Sequence, residues 1–143
     1  MSRQHGRRDF LMKGSCCLMA LGLGCSRQEQ PVSRIVALGP PEKFAPGLTA
    51  LEIERIAVLR DARGIAAVSL VCTHQVCQLT VESGSNGFLC PCHGSRFTVE
   101  GAILTGPAKQ PLPWFKLQLN QRGIVEADLG SVVTSEWRLQ LPV

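Results

Sequence analysis

Four of the seven cysteines, Cys72, Cys77, Cys90 and Cys92, lie between residues 72 and 92, and two of the three histidines, His74 and His93, sit beside them. They fall into two short groups, Cys72-Thr73-His74-Gln75-Val76-Cys77 and Cys90-Pro91-Cys92-His93-Gly94-Ser95. Each group offers one Cys-x-His or Cys-x-x-His pair and one further cysteine. Thiolates and imidazoles gathered this way are what a transition-metal site requires. Three chemistries use such residues. A Cys₂His₂ zinc site has the right ligand types, but it leaves two cysteines unused, and Cys72-x-His74 is tighter than the usual two-to-four-residue gap. A pair of disulfides suits an exported protein and leaves both histidines without a reason. A [2Fe–2S] cluster with two cysteines on one iron and two histidines on the other has a use for all six residues.

The elements that must position these groups read as short strands. Apolar runs at residues 34–38, 56–60 and 65–71 are rich in Ile, Val and Leu, and Asp61-Ala62-Arg63-Gly64 makes a turn between the last two. Further short strands are expected at 78–81, 88–90, 96–100, 114–120 and 124–129, with turns at 82–87 and 121–123. Nothing beyond residue 25 carries a long 3.6-residue apolar period. The expectation is an all-β antiparallel sandwich or small barrel. Both metal groups follow apolar strands, so both are placed on loops that meet at one end of a sheet. The role of residues 130–143, with Trp137 and Leu139, is left open between a last strand and a partner-binding tail. Trp114 and Trp137 are expected to pack, and His5 to be inert.

At 143 residues the chain holds one ordinary domain, and 45% hydrophobic against 18% charged residues describes a chain with a core. Of the formal charge of +4, residues 1–24 carry most, through Arg3, Arg7, Arg8 and Lys13 against Asp9. The remainder is nearly neutral, which gives no basic surface for nucleic acid. The N-terminus reads as an address. Arg7-Arg8-Asp9-Phe10-Leu11 precedes an apolar run over residues 14–24, which resembles a twin-arginine export signal. That run is 11 residues long, short of the roughly 20 that a spanning helix needs. Leu21-Gly22-Leu23-Gly24-Cys25 resembles a lipoprotein cleavage site with Cys25 as the lipidated residue, although Gly22 stands where leucine is usual. The expected organisation is an export signal over 1–25, a polar tether over 26–33 and one domain over 34–143. The protein is expected at the periplasmic face of the cytoplasmic membrane, held by lipid or by its N-terminus, or free in the periplasm.

Cys-Thr-His-x-x-Cys followed, after residues 78–89, by Cys-Pro-Cys-His-Gly-Ser resembles the Rieske iron–sulfur proteins over roughly residues 60–115. The resemblance implies a Rieske-type sandwich with a small cluster-binding subdomain carrying two metal loops. It implies Cys72 and Cys90 as ligands of a buried iron, and His74 and His93 as ligands of an outer, reducible one that are also candidate quinol contacts. It further implies a Cys77–Cys92 disulfide, the mark of the quinol-oxidising branch. Gly106-Pro107-Ala108 resembles the family's proline loop, and Ser95 the serine that hydrogen-bonds a bridging sulfide. Phe97 stands where high-potential members carry tyrosine, so the potential is expected to lie below theirs. Gln75 and Val76 depart from the commoner Leu-Gly pair. The implied role is a redox subunit, not an enzyme alone, of a quinol–cytochrome c oxidoreductase, with quinol, a cytochrome b-type subunit and a c-type cytochrome as partners. The rival is the small subunit of an arsenite-oxidase-like enzyme with a molybdopterin large subunit. A structural zinc module without redox activity is the third reading.

Overall fold

The structure, a computed structural model, describes residues 34–82, 84 and 87–141. The expected export signal over 1–25, with Cys25, and the expected tether over 26–33 lie outside the described residues. Among the described residues ten strands form two antiparallel sheets. The large sheet runs in the order β1 (Ile35–Gly39), β10 (Val125–Val133), β9 (Trp114–Leu119), β4 (Gly64–Ser69), β3 (Ile56–Asp61), β2 (Gly47–Leu51). The small sheet runs β5 (Thr80–Val81), β6 (Phe88–Leu89), β7 (Arg96–Phe97), β8 (Ile103–Thr105). Among the described residues no helix is long and apolar enough to cross a membrane.

The apolar runs of β3 and β4 lack strict alternation because both faces of these strands are covered. Ile56, Val58, Ile65 and Ala67 face one core together with Phe44, Leu117, Val125 and Ala127. Ala57, Ala66 and Val68 face the other, which also holds Trp114, Leu70, Leu79, Phe88, Phe97 and Leu112. This second core joins the large sheet to the small one. Small side chains on that face of β3 and β4 leave room for the two phenylalanines, both fully buried.

Local chemistry sets the hairpins. In the β3–β4 turn Asp61 Oδ1 accepts the Arg63 N–H at 2.8 Å, and Gly64 takes φ 131°. In the β9–β10 turn Asn120 Oδ1 accepts the N–H groups of Arg122 and Ile124, and Gly123 takes φ 73°. Such side-chain mimicry of a backbone turn is what Asp and Asn supply. Two strands lie outside the sequence expectation, β2 and β8, both at sheet edges. The expected 96–100 and 78–81 strands shorten to β7 and β5, while β10 runs on past a bulge to Val133.

The tail beyond Val133 folds back onto the domain. Leu139 pairs with Ile65, and Trp137, Leu139 and Leu141 pack on the first core. Arg138 donates from Nε to Asp61 Oδ2 at 3.0 Å and lies 5.9 Å from the Trp114 ring centroid. Trp114 itself is buried and donates to the Glu100 carbonyl. Both tryptophans therefore serve packing. Desolvation alone would raise the Asp61 pKa, but the Arg138 and Arg63 side chains and the Arg63 N–H outweigh it and lower the value to about 2.

A carboxylate whose folded pKa is depressed stabilises the fold above its unfolded pKa and loses that contribution as pH falls through the folded one. The difference in denaturation midpoint between wild type and Asp61→Asn is therefore expected to be constant from neutral pH down to about 4. It should narrow between about 4 and about 2. A difference that does not depend on pH over this range would refute the Asp61–Arg138 linkage.

Candidate metal centre

The first metal loop, residues 72–77, leaves β4 of the large sheet through Leu70 and returns to β5. The second, residues 90–95, joins β6 to β7 within the small sheet. The expectation that both loops meet at one end of a single sheet is thus corrected. They converge from two different sheets, brought together by the shared core. The first loop closes on itself through Cys72 N–H to the Cys77 carbonyl at 2.8 Å and Cys77 N–H to the Gln75 carbonyl at 2.6 Å. The second closes through Cys90 N–H to the Ser95 carbonyl at 2.7 Å and Gly94 N–H to the Cys90 carbonyl at 3.0 Å. Gly94 takes φ 72°, a backbone glycine adopts without strain.

Cys77 and Cys92 form a disulfide with their Cα atoms 6.5 Å apart, the pairing expected. It ties the two loops directly. Cys72 and Cys90 are free thiols, buried to 3% and 1% exposure, and hydrogen-bonded to each other. His74 and His93 lie on the exposed side, their rings edge to face with centroids 4.9 Å apart. The sulfurs of Cys77, Cys90 and Cys92 lie within 4.8 Å of one another, but two of the three are bonded to each other and have no thiolate to give. The donors left for a metal are two buried thiols, Cys72 and Cys90, and two exposed imidazoles, His74 and His93.

The surroundings of Cys72 fit a metal-bound thiolate. Burial alone would push its pKa up. The N–H groups of His74 and Gln75, the Cys90 thiol and the Ser95 hydroxyl all donate to it, and the net result lies below the ordinary thiol value. Donors aimed at a buried sulfur are what a thiolate ligand needs, since an uncompensated buried charge is costly. Ser95 is fully buried, and its Oγ also accepts the Ala108 N–H at 3.2 Å. Phe97 is fully buried in the same core as Cys72 and Cys90 and brings no hydroxyl to it.

Ala108 ends the Gly106-Pro107-Ala108 segment expected to be the proline loop, which lies against the second metal loop. Gly106 takes φ 97°, and a Cβ placed there would sit 2.5 Å from Ser95 Cα and 2.9 Å from Ser95 N. Pro107 follows, half-buried. The first loop holds the chain just past this segment, through Thr73 Oγ1 to the Gln110 carbonyl at 2.6 Å. Sequence reasoning missed Thr73, because a threonine inside a ligand motif carries no signal that its partner lies 37 residues away.

An antiparallel two-sheet fold whose loops juxtapose two buried thiols, two exposed imidazoles and a disulfide defines a class of iron–sulfur protein. Residues 35–116 match the family described as the Rieske [2Fe-2S] domain, and the chain belongs to that family. It is a Rieske iron–sulfur electron-transfer protein with one [2Fe–2S] cluster as its cofactor, which sets aside the zinc module. The cytochrome b6-f complex iron-sulfur subunit of Chlorobaculum tepidum is 29% identical over 93 residues, 63% of this chain and 51% of that one. The chloroplastic cytochrome b6-f complex iron-sulfur subunit of Bigelowiella natans is 37% identical over 70 residues, 49% of this chain and 25% of that one. The carotenoid phi-ring synthase of Chlorobaculum tepidum is 43% identical over 70 residues, 48% of this chain and 10% of that one. Among solved structures, the plasma membrane Rieske protein of Synechocystis PCC 6803 superposes with a TM-score of 0.48 at 26% identity, covering 65% of this chain and 98% of that one. The chain spans about half the length of the first of these curated relatives and less of the others.

The close approach at Gly106 generates a direct test. Gly106→Ala must relieve both a positive φ, worth about 1–3 kcal/mol, and a backbone overlap with Ser95. The variant is expected to release iron faster than wild type under mild chelation and to lose stability by at least that amount in denaturant. Wild-type behaviour in both assays would show that the proline loop does not depend on this contact.

Proposed function

We propose that Cys72, His74, Cys90 and His93 are the cluster ligands. In this reading the protein is the iron–sulfur subunit of a quinol–cytochrome c oxidoreductase, tethered at the periplasmic face of the membrane. The observation that carries the ligand set is the segregation of donors, with two mutually hydrogen-bonded thiols buried and two imidazoles a ring's width apart at the surface. Bound there, the cluster supplies one-electron chemistry, and replacing two thiolates by imidazoles moves the potential from about −400 mV towards about −150 to +300 mV.

The roles of the residues follow from their places. Cys72 and Cys90 would hold the inner iron, where burial keeps water from the sulfurs. His74 and His93 would hold the outer iron through one ring nitrogen each. The other ring nitrogen of each would then be free to carry a proton or, when deprotonated, to accept a hydrogen bond from a quinol hydroxyl. Ser95 donates a hydrogen bond at the inner side, which lowers the cost of an added electron. The disulfide and the proline loop hold the two ligand loops at fixed separation. Support for the quinol-oxidising complex comes from the disulfide and from two of the three curated relatives named above, which are cytochrome b6-f complex iron-sulfur subunits. In that assembly a cytochrome b-type subunit and a c-type cytochrome are the neighbours. A second reading, a small subunit beside a molybdopterin enzyme, is favoured by Phe97, whose buried ring offers no hydroxyl.

EPR of the purified protein, oxidised and then reduced by ascorbate, tests both parts of the proposal. A mixed-ligand signal under ascorbate, abolished in Cys90→Ser and His93→Ala along with bound iron, is the expected result. A signal needing a stronger reductant, with a molybdopterin subunit copurifying, would overturn the quinol assignment. Iron and sulfide retained in both variants would overturn the ligand set. Phe97→Tyr is expected to raise the midpoint potential, because a hydroxyl donor in this buried position stabilises the reduced centre. A midpoint unchanged or lowered would refute that effect.

A further inference from the structure

The turn between β2 and β3, residues 52–55, ends on Arg55 at φ 57°, the one non-glycine residue with positive φ among those described. A side chain with a Cβ is disfavoured there, and glycine or asparagine is the ordinary occupant. Such a conformation persists only where the surroundings over-determine it. Here they do. Arg55 N–H closes the turn onto the Glu52 carbonyl at 3.3 Å. The Arg55 carbonyl accepts the Leu70 N–H at 2.8 Å, two residues before Cys72. Arg55 Nη2 donates to the Val76 carbonyl at 2.7 Å, one residue before Cys77. Gln78 Nε2 returns a bond to the Glu52 carbonyl at 3.1 Å. One turn of the large sheet thus grips the 72–77 loop at its entry, its tip and its exit.

A second observation points the same way. Arg55 Nε is shielded from solvent and has no acceptor among the described residues. A buried donor left unpaired is unfavourable, so the side chain is not placed to satisfy itself. It is placed to reach Val76. That residue is 75% exposed, so the loop tip has little packing of its own to hold it.

We propose that Arg55 is a positioning residue for the metal centre. Its guanidinium, anchored in a left-handed turn of the large sheet, pins the Val76 carbonyl and fixes where the 72–77 loop presents His74. This rests on that loop being a ligand loop, as proposed above. The large sheet therefore aligns the outer ligand directly, beyond carrying the cluster subdomain.

The test uses the full-length, cluster-loaded protein and the variants Arg55→Gly, Arg55→Asn and Arg55→Lys. Glycine and asparagine accept left-handed backbone, so both remove the guanidinium without straining the turn. Hydrogen exchange of the peptide spanning residues 70–79 is expected to accelerate about tenfold in both, with β3 and β4 unchanged. The midpoint potential is expected to move in the same direction in both. Lysine, which keeps a charged donor, should restore part of the protection. Loop exchange within twofold of wild type in the glycine and asparagine variants would overturn the proposal. Equal acceleration across β3 and β4 would do the same by showing a general stability role, and so would a faster loop with an unmoved midpoint. A wild-type protein lacking iron and acid-labile sulfide would bring down the ligand reading and this proposal together, whereas the other results bring down this proposal alone.

Discussion

The site depends on holding together two loops that belong to two different sheets. Residues 72–77 are an excursion from the large sheet and residues 90–95 a hairpin of the small one. Neither loop alone carries more than one thiol and one imidazole with free donor atoms. Their separation is set by three independent devices: the Cys77–Cys92 bond, the proline loop and the residues just past it, clasped by Ser95 and Thr73, and the core of Leu70, Leu79, Phe88, Phe97 and Leu112 beneath. The disulfide limits the separation at the outer edge. The core sets the floor. The proline loop closes the side, and Gly106 is the residue that lets it come close enough.

Burial divides the labour inside that frame. Thiolates are poor tenants of an apolar core unless donors face them. Around Cys72 two backbone N–H groups, a thiol and a hydroxyl do so. Those donors come from the first loop itself and from the second, so the electrostatic stability of the inner position exists only once both loops are in place. Ser95 joins the two effects in one side chain. Its oxygen accepts from the proline loop while its hydrogen turns to Cys72, so closing the loop and stabilising the sulfur are the same event.

The candidate donor residues were legible in the sequence because metal chemistry tolerates few residue types and narrow spacings. The central strands and both tight turns were legible because β3 and β4 are continuous apolar runs and because Asp61 in one turn and Gly123 in the other carry turn chemistry, whereas the part Asn120 plays in the second turn was not. The rest was hidden for a physical reason. β2 and β8 are edge strands, of which Ile103–Thr105 is exposed throughout and Gly47–Leu51 buries only Leu51. Half-paired strands of that kind have no periodicity to announce them, since their partners rather than their own pattern make them strands. The tail past Val133 was undecidable for the same reason. Its register comes from the Leu139–Ile65 pairing and the Arg138–Asp61 ion pair, contacts across 74 and 77 residues of chain.

Arg55 marks the limit of reading chemistry from motifs. Within the sequence it is an arginine in a charged turn, Glu52-Ile53-Glu54-Arg55, and nothing nearby suggests a metal. Its significance comes from a backbone conformation and a bond spanning 21 residues, neither of which has a residue signature. The same holds for Thr73 and for the fit of Gly106 against Ser95. A ligand motif names the atoms that can touch a metal. The residues that decide where those atoms stand belong to the neighbouring turns, and they are selected by geometry that only the folded chain possesses. On the ligand reading proposed here, that geometry leaves the thiol side sealed by the core and the imidazole side open to solvent. An electron can then be exchanged with a partner only across the histidine edges, and any residue that sets the height of those rings sets the distance the electron must cross.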